Sequence, residues 1–239
     1  MGQKRKDKKR RLGMPFRHEW KFYINEQSYA VLSSRLSAVL RRDSNANQYG
    51  EYMIRSLYFD DIYDSSLADK IAGLEQRDKI RVRIYNHSDF VINLERKVKS
   101  GAYISKQSCR ITRDEYQSLL ERDPTFLLRK GQDPAGAVYL AMRNRLLHPV
   151  KVVDYWREAF IHPIEDIRIT FDKDLRMGAA KHFDIFDRNM LTVPMLDDNI
   201  MIMEVKFNQY MPGYIHRLLQ GVPHDASAIS KYAICRMFD

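Results

Sequence analysis

Residues 79–86 read KIRVRIYN, which sets Lys79, Arg81 and Arg83 in one phase and Ile80, Val82 and Ile84 in the other. Alternation at a period of two sends the two sets to opposite faces of a strand. Neighbouring cations on such a face stand about 7 Å apart and repel by roughly 2 kcal/mol at an effective dielectric near 20. A single strand of this kind is a solvated sheet face. The pattern recurs, however. Glu95, Lys97 and Lys99 oppose Phe90, Ile92 and Leu94, and Lys106 falls in phase with Arg110. Tyr155 shares a face with Arg157, as do Arg168, Thr170 and Asp172, while Glu204 and Lys206 oppose Met203, Val205 and Phe207. With Glu19 and Lys21, at least six stretches alternate apolar with ionic, and bases outnumber acids on the ionic face.

The chemistry open to this face depends on closure. In an open sheet the charges meet water; in a closed barrel they line its interior. A dozen inward cations would then carry a large repulsion and desolvation cost unless an anion neutralised them. Phosphate fits, because Arg offers a fork to its oxygens and Lys a point charge. The few inward carboxylates, Glu19, Glu95 and Glu204, suit a hard divalent cation that bridges the same phosphates. A site that binds phosphates through fixed charges does not require a Ser-His-Asp set. The seven histidines receive no role.

The elements that must position these residues follow from periodicity. FRHEWKFYIN, residues 16–25, predicts a strand, and Asn25 caps a helix of about 16 residues carrying Tyr29, Leu32, Leu36, Val39 and Leu40. Strands are expected at MIRSLYFDD (53–61) and KIRVRIYN, with a partly helical segment over 64–73 between them. FVINLERKVKSG and YISKQSCRIT, with a glycine between them, read as a hairpin. Residues 113–148 change to helical periodicity broken around Pro124 and Pro134. Strands resume at 149–163, 166–174 and 199–208, and helical pieces close the chain. About eight strands without crossover helices imply an antiparallel sheet.

Composition sets the frame. The 239 residues are 44% apolar and 11% aromatic, enough for one large core. No apolar run reaches about 18 residues and the start lacks a secretory pattern, so a cytoplasmic protein is expected. Cys109 and Cys235 are too few for a disulfide framework and read as buried thiols. Residues 4–11, KRKDKKRR, hold seven bases and one acid of a chain whose net charge is +9. Residues 1–13 are therefore expected to be a disordered basic tail, able to touch a polyanion or an anionic membrane surface, ahead of a single domain over 14–239. Sequence-specific nucleic-acid binding is not expected, because the cations lie in strand register without an interleaved stacking face.

The ordered series RHEWKFYI, SLYFDD, KIRVRIY, NLERK, YWREAF, RITFDKDL, EVKF and SKY resembles the VTC domain, the polyphosphate polymerase branch of the triphosphate tunnel metalloenzymes, a CYTH-like superfamily. The resemblance runs from about Phe16 to the C-terminus. It implies an α+β fold with an eight-stranded, antiparallel, closed β-barrel and helices packed outside. It also implies transfer of the terminal phosphoryl group of ATP to a growing polyphosphate chain with manganese or magnesium. By motif match, Arg81, Arg83, Lys97, Lys106, Arg157 and Arg168 would hold phosphates, with Lys21 and Lys231 as further basic positions. Lys79, Tyr155 and Lys206 share the same strand faces. Glu204 matches the metal-ligand position, followed by Glu95 and Glu19. Arg17 stands where triphosphate-hydrolysing relatives carry the first Glu of Glu-x-Glu-x-Lys, which favours the polymerase branch over a tripolyphosphate or nucleoside triphosphate hydrolase. A non-catalytic polyphosphate-binding module is the remaining alternative. The chain lacks the phosphate-sensing domain and membrane helices of eukaryotic counterparts, so translocation would require a membrane partner protein.

Overall fold

A computed structural model describes residues 18–101, 103–164, 166–178, 183–208, 210–221 and 225–237. The basic tail and the start of the first expected strand lie outside the described residues. Among the described residues, eleven strands form one antiparallel sheet. They are β1 (His18–Asn25), β2 (Arg41–Arg42), β3 (Glu51–Asp60), β4 (Gln76–Tyr85), β5 (Ser88–Ser100), β6 (Tyr103–Arg110), β7 (His148–Ile161), β8 (Arg168–Gly178), β9 (Thr192–Pro194), β10 (Ile200–Phe207) and β11 (Asp225–Ala226). The order along the sheet is β11-β1-β10-β8-β7-β3-β4-β5-β6, with β2 on β7 and β9 on β8. The eight long strands are those expected from alternation; the additional three have two or three residues each.

The helices are α1 (Glu26–Ser37), α2 (Ser65–Ile71), α3 (Arg113–Leu120), α4 (Ala135–Asn144), α5 (Gly213–Leu219) and α6 (Lys231–Arg236), with a 3-10 turn at Thr125–Arg129. Local chemistry sets their ends. Asn25 Oδ1 accepts from the Ser28 amide at 2.8 Å, satisfying one of the orphan donors at the start of α1. Thr112 and Glu115 form a reciprocal capping box on α3. Pro124 and Pro134 immediately precede the 3-10 turn and α4, where a missing amide hydrogen costs no helical bond. Gly101 takes φ +58° in the turn between β5 and β6, a conformation that disfavours a side chain.

Three apolar clusters follow from the alternation. Ile80, Val82, Ile84, Ile92 and Leu94 pack beneath α3 and α4, on the convex side of the sheet. Phe22, Ile24, Met203, Val205 and Phe207 pack with Leu32 and Leu36 of α1 and Ile215 of α5. The third cluster joins Ile54, Tyr155 and Ile202 to Ile229, Tyr232 and Cys235, so α6 plugs part of the concave side. Cys109 and Cys235 are buried, as expected. No helix among the described residues is long and apolar enough to cross a membrane.

The expected barrel closure is not found. Among the described residues no backbone ladder joins β6 to β1 or β11, and the sheet is open at that seam. It curls far enough for side chains to span the gap instead: Lys97 Nζ on β5 lies 2.9 Å from Glu19 Oε2 on β1. Both margins carry inward cations, Lys97 and Lys106 on one side and Lys21 on the other, and their repulsion opposes the close approach that a ladder requires.

Candidate active site

The concave face encloses a cavity of about 290 Å³ lined by eleven cationic side chains and three carboxylates. Most of the strand-borne charges are there because alternate apolar residues of the same strand are buried on the other side. From β4 come Arg77, Lys79, Arg81 and Arg83, and from β5 Glu95, Lys97 and Lys99. Glu19 and Lys21 come from β1, Arg157 from β7, and Glu204 and Lys206 from β10. Lys70 of α2 and Lys231 of α6 complete the set. No histidine or cysteine lines the cavity among the described residues.

Cross-strand register pairs much of this charge. Arg81 lies opposite Glu95, Lys21 opposite Glu204, Glu19 opposite Lys206 and Arg157 opposite Asp172. Glu204, 5% exposed, is the hub. Its Oε2 meets Lys206 Nζ at 2.9 Å and Arg157 at 3.6 Å, and its Oε1 meets Lys21 and Lys231, each at 3.3 Å. Burial alone would raise its pKa, but Lys206, Lys231, Lys21 and Arg157 overcome that and hold it well below the usual carboxylate range. Glu19 behaves likewise: burial is outweighed by Lys21, Lys97 and Lys206, and its carboxyl falls to about 2.

Asp172 supports the hub from behind. It takes Arg157 in a two-pronged grip, Nε to Oδ1 at 2.6 Å and Nη2 to Oδ2 at 2.7 Å, and receives Lys231 Nζ at 2.5 Å. The second acidic centre is Glu95. Arg81 Nη2 approaches its Oε2 at 2.6 Å, Lys106 its Oε1 at 2.5 Å, and Arg83 stands 4.0 Å away. Neutral groups orient the guanidinia further: Arg81 Nη1 donates to Tyr58 Oη at 2.9 Å, and Arg83 donates to Ser56 Oγ and Tyr155 Oη, each at 3.0 Å. An Arg held this way keeps further N–H donors for a ligand, so the cavity is preorganised for oxyanions.

Of the residues anticipated from sequence, Glu19, Lys21, Lys79, Arg81, Arg83, Glu95, Lys97, Tyr155, Arg157, Glu204, Lys206 and Lys231 line this one cavity. Two do not. Lys106 reaches Glu95 but is half exposed, and Arg168 Nη2 binds Asp43 Oδ2 at 2.6 Å and Tyr52 Oη at 2.9 Å. The three expected metal ligands separate as well. No group of three His, Cys, Asp or Glu side chains gathers among the described residues. Glu95 is engaged by Arg81 and Lys106, whereas Glu19 and Glu204 converge on one ammonium, Lys21 Nζ, at 3.2 and 3.3 Å. Two carboxylates that share one cation fit a magnesium-like ion completed by phosphate oxygens. Glu95 does not fit that ion.

Sequence reasoning missed Arg77, Lys70, Tyr58 and the strap over residues 227–230, and it placed Lys99 and Asp172 on ionic strand faces without assigning them to the site. Arg77 was in phase with its neighbours and could have been read. Lys70 and the strap carry no periodic signal. Lys21 Nζ donates to Ile229 O at 3.2 Å, Lys70 Nζ to Ala228 O at 2.7 Å and Lys79 Nζ to Ser230 Oγ at 2.8 Å, so the strap occupies donors that an anion would use.

A family model described as the VTC domain matches residues 16–238. Comparison with curated proteins gives no match. Among solved structures, the chain is similar to a "putative adenylate cyclase" from Bacillus halodurans, with 13% identity over 87% of this chain and 86% of that one and a TM-score of 0.47. It is also similar to the PH1819 protein from Pyrococcus horikoshii, with 10% identity over 93% of this chain and 100% of that one and a TM-score of 0.45.

Proposed function

The chain belongs to the VTC domain family, and from that premise we propose that it is a polyphosphate polymerase, moving the terminal phosphoryl group of ATP onto a growing polyphosphate chain. The observation that carries this reading is the formal excess of eight positive charges in one cavity. Among the described residues Asp172, behind the wall, offsets part of that excess, and a chain of phosphates would neutralise the rest. Arg81, Arg83, Arg157, Lys97 and Lys206 hold the phosphate oxygens, with Lys21 and Lys231 beside them. Arg81 and Arg83 neutralise the equatorial oxygens of the transferring group, where the loose transition state spreads its charge. Their anchors on Glu95, Tyr58, Ser56 and Tyr155 fix them before the substrate arrives, so little reorganisation is left for the reaction step. Glu19 and Glu204 would hold magnesium or manganese, which would supply charge neutralisation to the phosphates. Lys106 acts from outside the cavity through Glu95, and Arg168, held by Asp43 and Tyr52, is given no part.

The test is incubation of purified protein with ATP and manganese, followed by separation of polyphosphate from orthophosphate. Chains that lengthen with time are expected. Orthophosphate without chain growth would assign the cavity to triphosphate hydrolysis, and no turnover with tight polyphosphate binding would reduce it to a binding module.

A further inference from the structure

One flank of the cavity lacks the acid-base complementarity found elsewhere. Two successive inward rungs between β4 and β5 are like-charged: Lys79 opposite Lys97, and Arg77 opposite Lys99. Directly opposed like charges destabilise a sheet. Lys97 offsets this with Glu19. Lys79 makes no ion pair with any carboxylate among the described residues. Its Nζ meets only a serine hydroxyl, Ser230 Oγ at 2.8 Å, and the Tyr232 ring, 5.2 Å to the centroid.

The surroundings of Lys79 are cationic from almost every element packed on it. Arg77 and Arg81 flank it on β4, Lys97 and Lys99 face it from β5, Lys21 from β1, Lys70 from α2, and Lys231 from α6. The nearby acids are engaged elsewhere. Asp60 at the end of β3 takes Tyr232 Oη at 2.5 Å, Glu19 takes Lys21 and Lys97, Asp64 takes Arg236, and Asp78 takes Arg96 and Arg145. Burial, reinforced by Lys21, Lys70, Lys97 and Arg77, lowers the Lys79 ammonium to about 7.

We propose that Lys79 couples anion capture to proton uptake: it stands as a neutral amine in much of the empty protein, and takes a proton from solvent as a polyphosphate oxygen arrives. The only bond formed is N–H, the proton comes from water or buffer, and the resulting ammonium becomes a ligand to the phosphate. This rests on the reading of the cavity as a polyphosphate site. The arrangement limits self-repulsion in the empty cavity and supplies the full charge only when an anion is present to hold it. Because the free form loses its proton first as pH rises, affinity falls above about pH 7, by up to tenfold per pH unit for this group.

The test is calorimetric titration with inorganic tripolyphosphate, free of metal, at pH 8 in HEPES and in Tris, whose ionisation enthalpies differ. The parent protein is compared with Lys79→Arg, which keeps a permanent charge, and Lys79→Met, which cannot take a proton. Protonation of the ligand itself is common to all three and cancels in the comparison. The parent is expected to take up about 0.5–1 proton more than either variant. Lys79→Arg should bind with a flatter pH profile from 7 to 9, and Lys79→Met at least about tenfold more weakly at pH 7. Equal proton counts in the parent and whichever variant binds would overturn the proposal while leaving the cavity's role intact. Failure of the parent to bind tripolyphosphate anywhere from pH 6 to 9 would overturn the cavity reading and this proposal together.

Discussion

Glu204 is the residue at which the charge balance of the empty protein meets the proposed reaction. It is the acid on which Lys206, Lys231, Lys21 and Arg157 converge, and its partner Asp172 holds two of the same four cations. Glu204→Gln keeps the shape and removes the charge. The empty protein should lose roughly 3 kcal/mol of stability, the low end for stranding buried cations because these four face a cavity, read from the urea midpoint. Metal-free tripolyphosphate should bind as well or better, while polyphosphate synthesis falls at least about a hundredfold, since a proposed ligand of the charge-neutralising ion is removed. Near-normal synthesis would remove Glu204 from metal binding and leave Glu19 as the remaining carboxylate. The depressed carboxyls also set a pH dependence. Their folded values lie below the ordinary 4.5, with Glu19 at about 2. The stability they contribute is therefore fully present above pH 4.5 and is lost as pH falls toward 2. Urea midpoints taken from pH 6 to pH 3 should drop for the parent and drop less for Glu204→Gln; parallel curves would contradict the assignment. At this scale the sequence was informative, because strand phase alone placed Glu204, Lys206, Arg81, Arg83 and Arg157 on one face. What phase could not show is which acid each base would meet, since that depends on register between strands distant in the chain. Glu95 thus reads as a metal ligand in sequence and is an anchor for Arg81 in the structure.

At the scale of elements, most long strands were legible because they bury one face and turn the other to the cavity, leaving a period of two, while β3, buried on both faces, was legible as an apolar run bounded by polar residues. The hairpin turn at Gly101, the Asn25 cap and the breaks at Pro124 and Pro134 were legible for equally local reasons. β2, β9 and β11 were not, because two or three residues cannot display a period. The strap and α6 were the largest gap, since their position is fixed by single polar contacts rather than by a pattern. Tyr232 Oη donates to Asp60 Oδ2, and Asp60 also accepts the Ser66 and Leu67 amides at the start of α2. Arg236 adds a bond to Asp64 at 2.8 Å. One tyrosine thus ties α6 to the end of β3 and to α2. Tyr232→Phe should cost about 1–3 kcal/mol, the usual penalty for leaving a buried acceptor short of a donor. Backbone amides of residues 231–236 should exchange faster with deuterium, while those of β3 and β7 remain protected. Unchanged exchange in α6 would show that its apolar contacts with Tyr155 and Ile202 hold it without the Asp60 bond.

For the whole molecule, the two sides of one curled sheet divide the work. Its convex side buries two apolar clusters under helices and supplies the stability; its concave side concentrates cations that oppose folding until an anion enters. Closure was also a feature of architecture that alternation could not decide, because a period of two is the same in an open sheet and in a barrel. The protein uses a side-chain bridge, Lys97 to Glu19, where a ladder was expected. An anion that binds only the folded state should raise the melting temperature in proportion to the logarithm of its concentration, worth about 2.7 kcal/mol at a hundred times Kd. That gain should shrink as salt rises, since screening acts on the same charges. A salt-independent shift would place the anion away from this cation cluster. The most direct measurement is a crystal structure of the protein grown with inorganic tripolyphosphate. The account expects three phosphates in the cavity, with oxygens within hydrogen-bond distance of Arg81, Arg83, Arg157 and Lys206. An empty cavity with the anion bound elsewhere on the surface would contradict it.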